Sequence, residues 1–141
     1  MQHFTQSEYL TILTHAPAEP VKLMAEQVIP QLGAITVLQN RTGLVMLPYT
    51  DSAEGTIFHL GEVLISEAHI RIENGAEGYG MTLGRDLEQA MAVAVLDAAL
   101  TAKIMTDEIE RFVGEQAKLQ RESDELLLRQ VQATRIEMET F

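Results

Sequence analysis

The chain has 141 residues, the size of one ordinary domain, able to bury about two thirds of the surface its unfolded form exposes. Its 10 Lys and Arg against 21 Asp and Glu leave a formal charge of −11, which repels nucleic acid and anionic lipid and opposes any highly phosphorylated ligand held by this chain alone. With no cysteine there is no disulfide, thiolate nucleophile or Cys-rich zinc site. The amino-terminal "MQHFTQSEYL" lacks the basic segment and apolar core of a secretory signal. The longest apolar run, Ala90 to Leu96, is far short of the ~20 residues that span a bilayer. A soluble, cytoplasmic protein is expected.

The first elements read as two short helices, with Leu10 and Leu13 on one face of the first and Val21, Met24, Ala25 and Val28 on one face of the second. Pro17 and Pro20 separate them, and Pro20 is tolerable in a first turn, where its missing N–H has no intrahelical partner. From Ala34 the pattern changes to strands: "AITVLQ", "GLVMLPY", a long stretch from Thr56 to Glu73, and "YGMTL". The connections "DSAEG" and "ENGAEG" carry hairpin turn residues and are too short for crossover helices, so the sheet is mainly antiparallel.

In the long stretch, side-chain alternation puts Phe58, Leu60, Leu64, Ala68, Ile70 and Ile72 on one face. His59, Val63, Ile65, Glu67, His69 and Arg71 share the other, with Gly61 interrupting it. The stretch exceeds a typical strand of ~5–6 residues, so a bulge or bend near Gly61 or Ser66 is expected to divide it in two.

"GYGMTLGRD", residues 78–86, has the look of a phosphate cradle, a glycine-rich turn leading into a helix. The spacing Gly78, Gly80, Gly84 is G-x-G-x-x-x-G, not the dinucleotide fingerprint, and no Lys-Ser or Lys-Thr pair follows. Asp86 is placed to cap a helix starting at Leu87, with Gln89 completing an Asp-x-x-Gln capping box, and its carboxylate would occupy the N–H groups a phosphate needs. Arg85 beside it is suited to clamp an anion or a partner's carboxylate.

"LEQAMAVAVLDAALTAKIM" is apolar almost all round, which predicts a helix buried on two sides. Asp97 interrupts it, and a buried carboxylate needs a partner. An arginine pair or a loop cap is expected, with a catalytic acid as the lesser reading. From Thr106 the sequence mixes both charges at helical spacing, and Gly114 is expected to break or bend it. Phe112, Leu119, Leu126 and Ala133 recur every seven residues, but Gln116, Ser123 and Gln130 weaken a coiled-coil seam. The 115–141 stretch is a helical arm that docks on the domain or on a partner, within a single domain of 1–141.

The chemistry inventory is sparse. His3, His15, His59 and His69 form no close ligand pair, and His59 and His69 with Glu67 make only a remote metal site, so no metal is assigned. No G-x-S-x-G elbow occurs, and no catalytic residue is identified.

Taken together, "RTGLVMLPY", "FHLGEVLISEAHIRI", "GYGMTLGRD", "AVLDAAL" and the terminal "ATRIEMETF" resemble the PhnG subunit family of bacterial carbon–phosphorus lyase across most of the chain. The family's aromatic-rich ending is replaced here by the neighbourhood of Met138 and Glu139. The resemblance implies a required, noncatalytic subunit of α-D-ribose 1-methylphosphonate 5-triphosphate synthase, in which an alkylphosphonate displaces adenine at the ribose anomeric carbon of ATP. It implies PhnH, PhnI and PhnJ as core partners, PhnI being the nucleosidase-type catalyst, with the ATPase-like PhnL or PhnK. MgATP would be a substrate of the complex, and no cofactor is assigned to this chain. On this reading Gly61 and Glu62, with the Gly78, Gly80, Gly84 and Arg85 loop, face the catalytic subunit. A free-standing ligand-binding or scaffold module is the alternative.

Overall fold

The computed structural model describes residues 4–50 and 57–139, with side-chain surroundings for 4–46 and 61–133. The "DSAEG" turn and the side chains of the terminal "ATRIEMETF" beyond Ala133 lie outside them. The architecture is α+β, with a three-stranded antiparallel sheet. Helices α1 (Gln6–His15) and α2 (Ala18–Leu32) precede strands β1 (Ile35–Thr50), β2 (Ile57–Ile72) and β3 (Glu77–Leu83). Helices α3 (Leu87–Thr101) and α4 (Thr106–Glu139) follow, and the strands lie in the order β1-β2-β3.

Local chemistry accounts for the helix ends. Thr5 caps α1 by accepting the Glu8 N–H at 3.2 Å. Pro20 falls in the first turn of α2, and Gly33 closes that helix at φ 73°. Helix α2 buries Val21, Met24, Ala25 and Val28 as its spacing predicts, and α1 buries Leu13 together with Tyr9.

The sheet corrects the sequence reading in two places. "AITVLQ" and "GLVMLPY" are parts of one 16-residue strand, and the stretch expected to divide near Gly61 or Ser66 is one 16-residue strand as well. Pairing between them runs from Ile35↔Ile72 to Thr50↔Ile57, and two bulges absorb the irregularities. One leaves Leu38 unpaired on β1, and the other leaves Leu60 unpaired beside Gly61 on β2. Strand β3 pairs only with Ile65 to Arg71 of β2. Past that point β1 and β2 continue alone as a two-stranded ribbon.

The principal helix cover lies on one side, while α1 borders Tyr79 and Met81 at the β3 edge. On β2 and β3 the even positions Ser66, Ala68, Ile70, Ile72, Gly78, Gly80 and Thr82 are buried, whereas the odd positions face out. Helix α3 packs on the buried face and is itself buried from Ala92 through Ala99, between the sheet and the other helices. Gly78 and Gly80 permit this approach: a methyl group on either would run into the α3 backbone at Ala94 and Ala98, or at Ala90 and Ala94. Helix α4 passes through Gly114 without a break, again contrary to expectation. Ile109, Val113 and Gln116 are buried on either side of that glycine, and this packing outweighs its cost of ~1 kcal/mol in a helix interior. After Gln120 every residue to Ala133 is exposed.

Candidate functional site

Four of the residues singled out for function, Gly61, Glu62, Gly84 and Arg85, gather where β3 ends and the ribbon begins. Gly84 turns the chain at φ 91°, a left-handed conformation that favours glycine. Its N–H donates to the Leu64 carbonyl at 2.8 Å, and its own carbonyl accepts from Ser66 Oγ at 2.7 Å. Ser66 Oγ in turn lies 3.0 Å from Thr42 Oγ1, so the turn is pinned to both ribbon strands at their foot. Thr82 Oγ1 donates to the Asp86 carbonyl at 3.2 Å and holds the next step into α3.

Asp86 Oδ1 accepts the Gln89 N–H at 3.0 Å, and Lys22 Nζ lies 3.2 Å from Oδ2. The Gln89 N–H first, and then Lys22, hold the Asp86 carboxyl below the usual carboxylate range. Asp86 in turn raises the Lys22 ammonium. The Gln89 side chain does not return to Asp86 but donates to the Ala16 carbonyl at 3.0 Å, tying the end of α1 to α3. Arg85 is exposed at the turn, with no ion pair to another described residue. Gly61 and Glu62 lie along β2 beyond Leu64, also exposed, with Glu62 opposite Met46. Gly84, Arg85, Gly61 and Glu62 thus belong to the same end of the sheet. Gly78 and Gly80 are buried under α3 instead, where they set the helix–strand distance.

Two polar clusters flank this end. On the open face, Arg41 Nε meets Glu67 Oε1, while Tyr79 donates its hydroxyl to Glu67 Oε2 at 2.7 Å. The Tyr79 hydrogen bond, then Arg41, lowers the Glu67 carboxyl. Burial, then Glu67, pushes the Tyr79 phenol up to about 12. His69 lies 3.6 Å from Glu77, which also meets Arg71 at 3.4 Å. His59 lies outside the described side chains, and no group of three metal-ligating side chains occurs among the described residues.

On the buried side, Asp97 is 1% exposed and has no arginine. It accepts from the Tyr9 hydroxyl, from the Tyr79 N–H at 2.8 Å and from Gln6 Nε2 at 3.3 Å. Burial, reinforced by Asp97, pushes the Tyr9 phenol well above its usual range. The carboxylate therefore joins α1, α3 and β3. Its geometry is that of a brace, with every donor supplied by the protein itself.

A cleft of about 320 Å³ opens between α2 and α3, floored by Ala25, Ile29, Met91 and Val95 with Lys22 at its rim. Lys22 is already engaged by Asp86 and Glu88. Sequence reasoning missed the Thr42–Ser66–Gly84 chain and the Arg41–Glu67–Tyr79 cluster. Both depend on strand register, and only the shared parity of Glu67 with the outward face was available beforehand.

Residues 5–141 match the family described as phosphonate metabolism protein PhnG. The chain belongs to the PhnG family. The α-D-ribose 1-methylphosphonate 5-triphosphate synthase subunit PhnG of Rhizobium meliloti (strain 1021) is 26% identical over 134 residues, covering 95% of this chain and 86% of that protein. No helix among the described residues is long and apolar enough to cross a membrane.

Proposed function

We propose that this chain is a required, noncatalytic subunit of an α-D-ribose 1-methylphosphonate 5-triphosphate synthase. In that reaction alkylphosphonate displaces adenine from the ribose C1 of ATP. The observation that carries the proposal is the PhnG family match over residues 5–141. The synthase name borne by the R. meliloti relative supports the reaction. The resemblance supplies the partners: a nucleosidase-type PhnI, with PhnH and PhnJ in the core and PhnL or PhnK as ATPase-like subunits, in the cytoplasm. MgATP is then a substrate of the assembly, and this chain contributes shape and charge in place of a cofactor.

Within that role the end of the sheet is the contributing surface. Arg85 is fixed by its turn yet lacks an ion pair among the described residues, so its guanidinium is available to a substrate phosphate or a partner carboxylate. Gly61, Glu62 and Gly84 shape the surface beside it. The decisive experiment reconstitutes MgATP plus methylphosphonate with the other subunits, with and without this chain, following adenine release and phosphonate consumption together. Phosphonate consumption that requires this chain supports the role, and unchanged consumption without it overturns the role. Arg85→Ala is expected to lower coupled consumption at least tenfold while leaving assembly intact. Loss of neither would remove Arg85 from the site.

The cleft between α2 and α3 favours a second reading, a free-standing ligand module. Its floor is apolar, its lysine is already neutralised, and Glu26, Glu88 and Asn40 also line it, so the fitting ligand is a largely apolar metabolite without negative charge. Saturable binding of such a ligand by a chain that never associates with the synthase would establish that reading.

A further inference from the structure

The ribbon formed by β1 and β2 beyond Thr42 and Ser66 carries apolar side chains on both faces. Leu44 and Met46 point to the helix side, with 63% and 51% of their surfaces exposed. Val45 points to the opposite side at 43%, across from Val63. Strand β3 stops at Leu83 and α3 begins only at Leu87, so among the described residues no third strand pairs with this part of the ribbon. A lid folding onto its own domain would bury one face and leave the other in water. A two-stranded ribbon is also marginal on its own, since it lacks a core to cover either face.

The charge pattern narrows what covers it. Between Arg41 and Arg71 the sequence contains no lysine or arginine, and its charges are Asp51, Glu54, Glu62 and Glu67. Glu67 is matched by Arg41, whereas Glu62 stands exposed on the ribbon. A second copy would bring a further charge of −11 and the same acidic ribbon, so like charges would meet.

Resting on the synthase-subunit reading, we propose that this ribbon inserts into another subunit of the assembly and is clasped on both faces by an apolar slot bordered by lysine or arginine. The partner's apolar walls replace water at Leu44, Val45 and Met46, and a basic rim meets Glu62. Gly43 fits such a slot: a side chain there would meet nothing within 4 Å in this chain, so the domain does not require glycine. Its absence of side chain leaves a flat place for close approach.

The test is capture of the co-expressed synthase subunits by the affinity-tagged full-length chain, compared with four variants. Met46→Glu and Val45→Glu charge one face each, and Leu23→Glu charges an exposed position on α2 as a control. The expected result is at least tenfold less capture for each ribbon variant and native capture for the control. Glu62→Lys is expected to reduce capture severalfold through the rim. Hydrogen exchange on the native chain gives a readout that needs no variant: ribbon amides exchange fast alone and are protected in the complex. No capture by the native chain overturns the synthase reading itself. Native capture with either ribbon variant unaffected, or without added ribbon protection, overturns the clasp alone. A dimer of the isolated chain that the ribbon variants dissolve assigns the ribbon to self-association and overturns the partner proposed.

Discussion

A buried carboxylate is costly unless its lone pairs are taken, and Asp97 meets that condition with three donors from two other elements, α1 and β3, rather than with a cation. Removing it strands the Tyr9 hydroxyl and the Tyr79 N–H. Asp97→Ala is therefore expected to destabilise the chain by about 3 kcal/mol in urea denaturation. Asp97→Asn, which keeps one acceptor oxygen, should lose clearly less. Equal losses would mean that the charge, not the bonding pattern, is what the site requires. Asp86 behaves differently because it is partly exposed and its folded pKa is lowered. A lowered carboxyl pKa contributes stability above the unfolded value of ~3.9, and that contribution is lost as pH falls through the folded value. Asp86→Asn still caps the helix but cannot ionise. Its stability should lie below that of the native chain at neutral pH and converge with it in acid. A gap that widens on acidification would contradict this assignment.

At the scale of elements, glycines differ by what surrounds them. Gly78→Ala places a methyl group against the α3 backbone and should cost about 3 kcal/mol, seen as a lowered urea midpoint. Gly114→Ala places one in open space within a continuous helix and should stabilise by about 1 kcal/mol, raising the thermal midpoint. These opposite signs test the burial of Gly78 under α3 and the continuity of α4 through Gly114. The alternation of Ala68, Ile70 and Ile72 made the core face of β2 legible, and the spacing in α1 and α2 did the same for their buried faces. The join within β1 was not legible, because the polar Asn40, Arg41 and Thr42 interrupt the apolar pattern between "AITVLQ" and "GLVMLPY". It is a strand because β1 is an exposed edge where polar side chains cost nothing on either face, and β2 supplies its hydrogen bonds. The Asp97 brace was hidden for another reason: Gln6 and Tyr9 lie 91 and 88 residues away in sequence. Arg85 was legible as an exposed cation next to a helix start, whereas its pinning through Ser66 required the register.

At the scale of the whole molecule, the chain divides into a braced body and parts the body does not cover. Gln120 Nε2 donates to the Ile12 carbonyl at 2.9 Å and makes a last tie between α4 and α1 near the point where the helix leaves. Beyond it Leu126, Leu127, Leu128 and Val131 are each more than half exposed. Ile109, Val113, Gln120, Leu127 and Val131 recur at intervals of four and seven residues, so the face that docks α4 on the body continues outward with its apolar side chains exposed. A helix in a protein draws most of its stability from tertiary packing, which this stretch lacks at its exposed side chains. Its side chains therefore contribute little to the stability of the body while presenting apolar surface. Truncation after Gln120 should shift the unfolding free energy by less than about 1 kcal/mol, because it removes no buried side chain among the described residues. The same truncation should sharply reduce binding of a hydrophobic dye. A large fall in stability would show that the terminal stretch folds back on the body. Unchanged dye binding would place the accessible apolar surface elsewhere, leaving the ribbon as its principal source.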